Sequence, residues 1–188
     1  MPLLQYKGVW VLTERRDDEF KDGALELLGE GRRIADKMNE SLVAVIPGNI
    51  SEEQARLLSQ HGADRILSVA YPAPVQDSLE ATSQALSEMI KTHAPEVVLY
   101  VHTINGADLA SRIAASLSAG LITACDRIDV NDENLLVAVK LIHGGKASAS
   151  YICPNSKPQM ATVNLDALEL KRPDPGASAE VIGFQIDV

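Results

Sequence analysis

The sequence predicts an α/β fold of three layers: a mainly parallel sheet with helices on both faces, followed by C-terminal antiparallel strands. Three observations lead there. Strand-type and helix-type hydrophobic periods alternate four times between Gly8 and Leu117. The strands are short continuous apolar runs such as 97–101 (VVLYV), the pattern of strands buried on both faces. After Gly120 the helical period stops and β-prone runs succeed one another. Four strand–helix repeats with crossovers of this length imply a parallel sheet covered on both sides.

Residues 8–12 (GVWVL) form the first strand. A mixed-charge loop follows over 13–23, with Glu14, Arg15, Arg16, Asp17, Asp18 and Glu19. Loops after strands carry sites, but such a charge run reads as solvated surface. Over 24–38 the spacing predicts a helix with Leu27, Leu28, Gly31, Ala35 and Met38 on its inward stripe. Gly31 costs about 1 kcal/mol of helix propensity relative to alanine, so a close approach of helix to sheet is expected there. Residues 42–46 are the second strand, closed by Pro47-Gly48-Asn49. Ser51 and Gln54 have the spacing of a capping box, and their helix ends at His61-Gly62. The third strand is 65–69. After a loop over 71–76, Asp77 is expected to cap a helix with Leu79, Leu86 and Ile90 inward, stopping before Pro95. Strand 97–101 then feeds a polar turn, 102–106, and a helix with Leu109, Ile113 and Leu117 four apart. Asn105 suits the N-cap of that helix.

Beyond Gly120, 121–130 reads as one strand bent near Cys125-Asp126, and 131–134 as a turn. Residues 135–142, 146–152 and 159–165 read as further strands. With no helix between them they are expected to pair antiparallel, extending or capping the parallel sheet. Residues 171–179 (KRPDPGASA) read as a linker and 180–188 as a terminal β-prone run. The domain is therefore expected to span 1–170, with 171–188 as linker and terminal strand.

A chain of 188 residues suits one domain with an extension. It can bury about 70% of its unfolded surface, enough to fold without disulfides or metal. The net charge of −9 argues against nucleic acid and anionic membrane surfaces, and suits small molecules or a protein with a basic patch. No run approaches the eighteen apolar residues of a membrane span. Residues 1–7 lack the apolar stretch of a signal peptide. The expected compartment is the cytoplasm of a bacterium or archaeon, with the mitochondrial matrix as the other option. Cys125 and Cys153 form no C-x-x-C and no metal spacing with the four histidines, and are expected to be buried free thiols.

No G-x-G-x-x-G follows any strand, and Gly144-Gly145-Lys146 runs into Ala147 between β-prone stretches, unlike a P-loop. G-x-S-x-G and H-E-x-x-H are absent too. The candidate pocket residues are Thr13, His102, Asn105, Gly106, Asp108, Arg112, Gly144 and Gly145. First-turn amides lack intrahelical partners and favour an anion, so Asn105 and Gly106 are candidates for an anion or nucleotide contact. Plain capping explains the asparagine equally well. Asp108 and Arg112, spaced i,i+4, either clasp a substrate or form a surface ion pair worth about 0.3 kcal/mol. Gly144-Gly145 suits a bulge or a tight backbone approach. His61 and His93 fall near helix C-termini, where positive charge suits the dipole. His102 and His143 sit in turns, and sequence shows no partner to orient either as a general base. No catalytic residue and no metal ligand is assigned.

Taken together, several stretches resemble the N-terminal domain of the electron transfer flavoprotein alpha subunit. They are VWVLTE from Val9, LELLGE from Leu25, RRIAD from Arg32, HGAD from His61, PEVVL from Pro95 and NGADLASR from Asn105. Gly144-Gly145, and Cys153-Pro154 leading to KPQMATV from Lys157, complete the set, which covers nearly the whole chain. The resemblance implies an adenine-nucleotide-hydrolase-like α/β fold and a beta-subunit partner in an αβ heterodimer. It also implies a part in carrying electrons from dehydrogenases, such as the acyl-CoA dehydrogenases of fatty acid β-oxidation, to a quinone oxidoreductase; some anaerobic relatives bifurcate electrons. In the family FAD is held by a C-terminal domain that should begin where this chain stops. The resemblance therefore implies no FAD-binding residue here, and AMP or nothing bound to this chain. Lys146 stands where the family usually has asparagine, and Ala124-Cys125-Asp126 where it often has Asp-Cys-Thr. The expected role is a non-catalytic scaffold. The alternatives are a stand-alone adenine-nucleotide-binding module using the strand ends near Thr13, His102 to Gly106 and Gly144, and a small hydrolase or transferase, for which a nucleophile–base arrangement is missing.

Overall fold

Residues 6–16, 19–21, 23–70 and 78–185 are described by a computed structural model. The chain runs β1 (Val9–Leu12), β2 (Arg15–Arg16), β3 (Glu19–Phe20), α1 (Ala24–Met38), β4 (Leu42–Pro47), α2 (Glu52–Gln60) and β5 (Arg65–Ala70). It continues through α3 (Leu79–His93), β6 (Val97–Val101), α4 (Ile104–Leu117), β7 (Leu121–Cys125), β8 (Arg127–Val130), β9 (Leu136–Ile142), β10 (Ala147–Tyr151), β11 (Gln159–Val163) and β12 (Glu180–Gln185). Seven strands, ordered β12-β5-β4-β1-β6-β11-β7, form one sheet in which every pairing is parallel. Strands β10-β9-β8 form a separate antiparallel sheet. The fold class is the one the hydrophobic periods predict.

Alternation along the strands fills two cores. Val9, Val11, Leu42, Ala44, Val97 and Leu99 face α1 and α2, and the antiparallel sheet adds Ile128, Leu136 and Ala138 to that side. Trp10, Leu12, Val43, Val45, Val98 and Tyr100 face α3 and α4. A Cβ at Gly31 would lie 2.7 Å from Val11 Cγ2 and 2.9 Å from Leu42 Cδ1, so α1 lies directly on the sheet as its glycine predicts. The capping box of α2 is present in both directions, between Ser51 and Gln54.

The C-terminal third departs from expectation in pairing direction. Of the strands after Gly120, only β8, β9 and β10 pair antiparallel; β7, β11 and β12 join the main sheet parallel. The antiparallel sheet itself serves as the crossover from β7 to β11. A 3-10 turn at Leu165–Ala167 and an extended stretch return the chain to β12. A parallel pair needs only a long connection, and here that connection is not a helix. The bend expected in 121–130 is a full break, with Ala124 at φ +52° and Asp126 accepting from Leu141 N (2.6 Å) and Asn164 Nδ2 (2.9 Å). Within 13–23, β2 and β3 pair as a two-rung ladder where a plain loop is expected. Asp77 lies outside the described residues, and the N-cap of α3 is Ser78, whose Oγ accepts from Ala81 N.

Asp129 ties the antiparallel sheet to α1. Its Oδ1 lies 2.6 Å from Lys37 Nζ and 3.0 Å from Arg33 Nη1. Burial pushes this carboxyl up, but hydrogen bonds from Lys37, the Val130 amide and Arg33 outweigh that and hold it down at about 2. A depressed carboxyl stabilises the fold above its unfolded value near 3.9, and the contribution disappears as pH falls through about 2. The side chain is 43% exposed, so solvent screening limits the effect to about 1 kcal/mol. Asp129→Asn should lose about that much at pH 7, with urea midpoints of variant and parent converging by about pH 2.

Cys125 is buried and Cys153 only partly so, against the expectation of two buried thiols. Burial pushes the Cys125 thiol up to about 11. A thiol reagent at pH 8 should therefore titrate at most one cysteine in the folded chain and both in denaturant.

Candidate functional site

The sheet order makes β1 and β6 a switch point: from β1 the chain proceeds to β4 and β5 on one side, then returns to place β6 on the other. Open α/β sheets bind ligands in the crevice outside the carboxyl ends of such a pair. Thr13 and Glu14 leave β1 there, while His102 and Thr103 leave β6 and α4 begins.

The cap of α4 is Thr103, not Asn105. Thr103 has the extended backbone of an N-cap (φ −93°, ψ 172°), and its Oγ1 accepts from Gly106 N at 2.8 Å. Asn105 is exposed in the first turn. The Thr103 hydroxyl donates in turn to Glu14 Oε1 at 2.5 Å, and Glu14 Oε2 pairs with Lys21 Nζ at 3.0 Å. A Cβ on Gly106 would lie 2.6 Å from Glu14 Oε1 and 2.3 Å from the Val101 carbonyl oxygen. The Glu14 carboxylate therefore rests on the first turn of α4. That is where unpaired amides and the helix dipole favour negative charge.

Thr13 is buried, and both its amide and its hydroxyl donate to Val45 O. His102 Nδ1 lies 2.8 Å from Thr162 Oγ1, which accepts from Ala124 N at 2.9 Å. The Thr162 hydroxyl, with one proton and two acceptor sites, can serve Nδ1 as donor or acceptor while it accepts from Ala124 N, so it orients the His102 ring in either tautomer. An orienting partner for His102 thus exists, 60 residues away and invisible to spacing rules. Asp108 and Arg112 form a surface ion pair at 3.0 Å, the second of the two roles their spacing allows. Gly144 and Gly145 turn the β9–β10 hairpin with φ +66° and +82°, and nothing lies within 4 Å of a Cβ at either. They serve a turn rather than a bulge or close approach. His143 belongs to the same turn.

Of the eight candidates, then, the fold brings Thr13, His102 and Gly106 to the crevice. Asn105, Asp108 and Arg112 lie on the outside of α4, and Gly144 and Gly145 on the separate antiparallel sheet. Glu14, Lys21 and Thr162, which the sequence did not single out, complete the crevice together with Thr103, which lay within the His102 to Gly106 span but was not among the eight candidates. Thr103 carried a signal, three residues ahead of the amide it caps.

Two clefts lie away from the crevice. The larger, about 670 Å³, lies between α1, the α2–β5 connection and the stretch 171–178. Several of its charges pair with one another or with neighbours: Arg32 with Asp36 (2.8 Å) and Asp64 (2.7 Å), and Lys171 with Glu30 (3.2 Å). His61 lines it, 8% exposed, and burial lowers its pKa despite the opposing charge of Glu26. The ring is thus neutral at pH 7, against the charge expected for a helix C-terminus. The smaller cleft, about 330 Å³, lies between α1, residues 126–129 and 163–171. Among the described residues, no three His, Cys, Asp or Glu are placed to hold a metal, and no helix is long and apolar enough to cross a membrane.

Residues 9–188 match the electron transfer flavoprotein domain family. The chain is 35% identical over 183 residues to the electron transfer flavoprotein subunit alpha of Thermoanaerobacterium thermosaccharolyticum, covering 97% of this chain and 56% of that protein. It is 37% identical over 165 residues to the subunit alpha of Clostridium acetobutylicum (87% and 49%). It is 39% identical over 183 residues to the protein FixB of Clostridium saccharobutylicum (96% and 54%). The chain spans about half the length of these curated relatives. It belongs to the electron transfer flavoprotein family, in the branch of the alpha subunits and FixB proteins.

Proposed function

We propose that this chain is the scaffold part of an electron transfer flavoprotein alpha subunit. It pairs with a beta subunit in the cytoplasm and positions the flavin-bearing parts of the complex, which pass electrons from dehydrogenases to a quinone oxidoreductase. It performs no chemistry itself. One observation carries the scaffold role: the anion position at the start of α4 is taken by the chain's own Glu14, held by Thr103 and Lys21. A phosphate seeking those amides meets a fixed negative charge in the same space, and like charges there are costly. The crevice therefore does not fit the pyrophosphate of FAD or the phosphate of AMP, and the stand-alone nucleotide module loses its natural contact.

Two measurements test this reading. Co-expression with the beta subunit should give a stable complex, and the purified chain alone should show no flavin band and no heat with millimolar AMP or ATP. A stoichiometric flavin band, or saturable nucleotide binding, would overturn the scaffold role. A chain that ignores the beta subunit would overturn the assignment to the alpha subunit.

A further inference from the structure

We infer that β10 docks the partner chain by strand addition: its free edge takes an extended, acidic segment of the beta subunit. This rests on the proposal that a beta subunit is the partner, and it assigns that partner a surface. β10 is the outer strand of the antiparallel sheet, and none of its five residues is buried. An edge strand offers a row of unpaired amides and carbonyls, and proteins normally blunt it with a charge, a proline, a bulge or a cover. Ala147–Tyr151 (ASASY) contains no charge and no proline, and its register with β9 runs unbroken over five pairs. It is a clean template for another strand.

The surroundings say what kind of strand. Of the seven large apolar side chains most exposed among the described residues, three lie on this arm or just past it: Leu141 (57%), Tyr151 (45%) and Ile152 (47%). Leu141 stands directly across from Ser148. Between Leu136 and Ile152 the sequence holds Lys140 and Lys146 and no acid, in a chain of net charge −9. Of the acids on the same sheet, Asp129 is engaged with Arg33 and Lys37 and Asp126 with the Leu141 amide and Asn164, while Asp132 and Glu133 lie on the β8–β9 turn, at the end of the sheet away from the β9–β10 tip. The β9–β10 hairpin is thus a basic, partly apolar edge on an acidic protein, and complementarity along it selects an acidic extended segment. A second copy would bring the same lysines to the contact. The arm is also rigidly mounted, since Gln159 accepts from Leu136 N at 2.7 Å and donates to Asn134 O at 3.0 Å. Its edge is presented without an ordering cost to the hairpin.

The test uses the chain and its beta subunit, with Ser148→Glu/Ser150→Glu placing two negative charges on exposed edge positions and Lys146→Glu reversing the charge at the tip. Circular dichroism and thermal midpoint should match the parent in both variants. The double glutamate variant should bind the beta subunit at least tenfold more weakly, and Lys146→Glu severalfold more weakly with a reduced salt dependence. The amides of 147–152 that point away from β9 should exchange rapidly in the free chain and at least tenfold more slowly in the complex. Parental affinity in the double variant, or unchanged exchange at 147–152 in the complex, would overturn the docking edge while leaving the alpha-subunit reading intact. Concentration-dependent protection of 147–152 in the chain alone would overturn it in favour of self-pairing. Failure of the parent chain to bind the beta subunit would bring down the alpha-subunit reading, and the docking edge with it.

Discussion

Gly106→Ala should destabilise the chain by about 3 kcal/mol, although alanine is the better helix former by about 1 kcal/mol. The added Cβ meets the Val101 carbonyl oxygen at 2.3 Å and Glu14 Oε1 at 2.6 Å. The first is main chain at the end of a central strand, where Val101 is buried and paired with β11, so it cannot yield cheaply. The second is a side chain that yields only by releasing Thr103 and Lys21, and with Thr103 goes part of the cap of α4. Loss of an N-cap alone is worth about 1 kcal/mol. Urea unfolding of Gly106→Ala, Glu14→Ala and the double variant separates the two clashes. The double variant should recover part of the Gly106→Ala loss but not all of it, because the carbonyl clash remains. A Gly106→Ala loss below about 0.5 kcal/mol would mean that the start of α4 slides freely, and that no fixed carboxylate occupies it. The glycine that looked like a ligand contact is then explained by how closely α4 abuts β6.

The first two thirds of the fold were legible because local and global signals agree there. The bounds of α1, the stripe with Gly31, and the capping box of α2 all follow from residues within one or two turns of each other. The order of strands in the last third was not legible. Whether β11 lies between β6 and β7, or β12 beside β5, depends on non-local pairing, which β-prone runs do not encode. Equating a parallel connection with a helix led to antiparallel pairing where the chain instead crosses through the β8–β10 sheet. At the crevice, strand ends and the helix start pointed to the right place but the wrong occupant. Glu14 sat inside a charge run that read as solvated, and only the fold brings it within 2.5 Å of Thr103, 89 residues on. His102 likewise lacked a visible partner because Thr162 arrives on β11.

Gln159→Leu should cost about 3 kcal/mol and should loosen the antiparallel sheet before the rest. Gln159 is 1% exposed at the start of β11 and is the hub between the two sheets. Its Oε1 accepts from Leu136 N at 2.7 Å, while its Nε2 donates to Asn134 O at 3.0 Å and to Glu96 Oε1 at 3.3 Å. Leucine is of similar size, so the loss comes from stranded polar groups: a buried amide and a carbonyl without partners cost about 1–3 kcal/mol each. Glu96 keeps Lys157, so the amino end of β6 should hold. Hydrogen exchange should therefore rise at 127–151 well before it rises in β1, β4 or β6. Gln159→Glu sharpens the test, because its shape is kept and only one amide donor is lost. At pH 7 its charge would lie beside Glu96, and like-charge repulsion with burial raises its pKa in the folded state. A carboxyl whose folded pKa is raised costs stability above its unfolded value, near 4.3, and the cost is relieved as pH falls. Gln159→Glu should then be clearly less stable than the parent at pH 7 and close to it near pH 4, whereas the Gln159→Leu deficit should barely change with pH. Equal deficits for Gln159→Glu at both values would show that Gln159 merely fills space, and that the two sheets are joined by packing rather than through its amide.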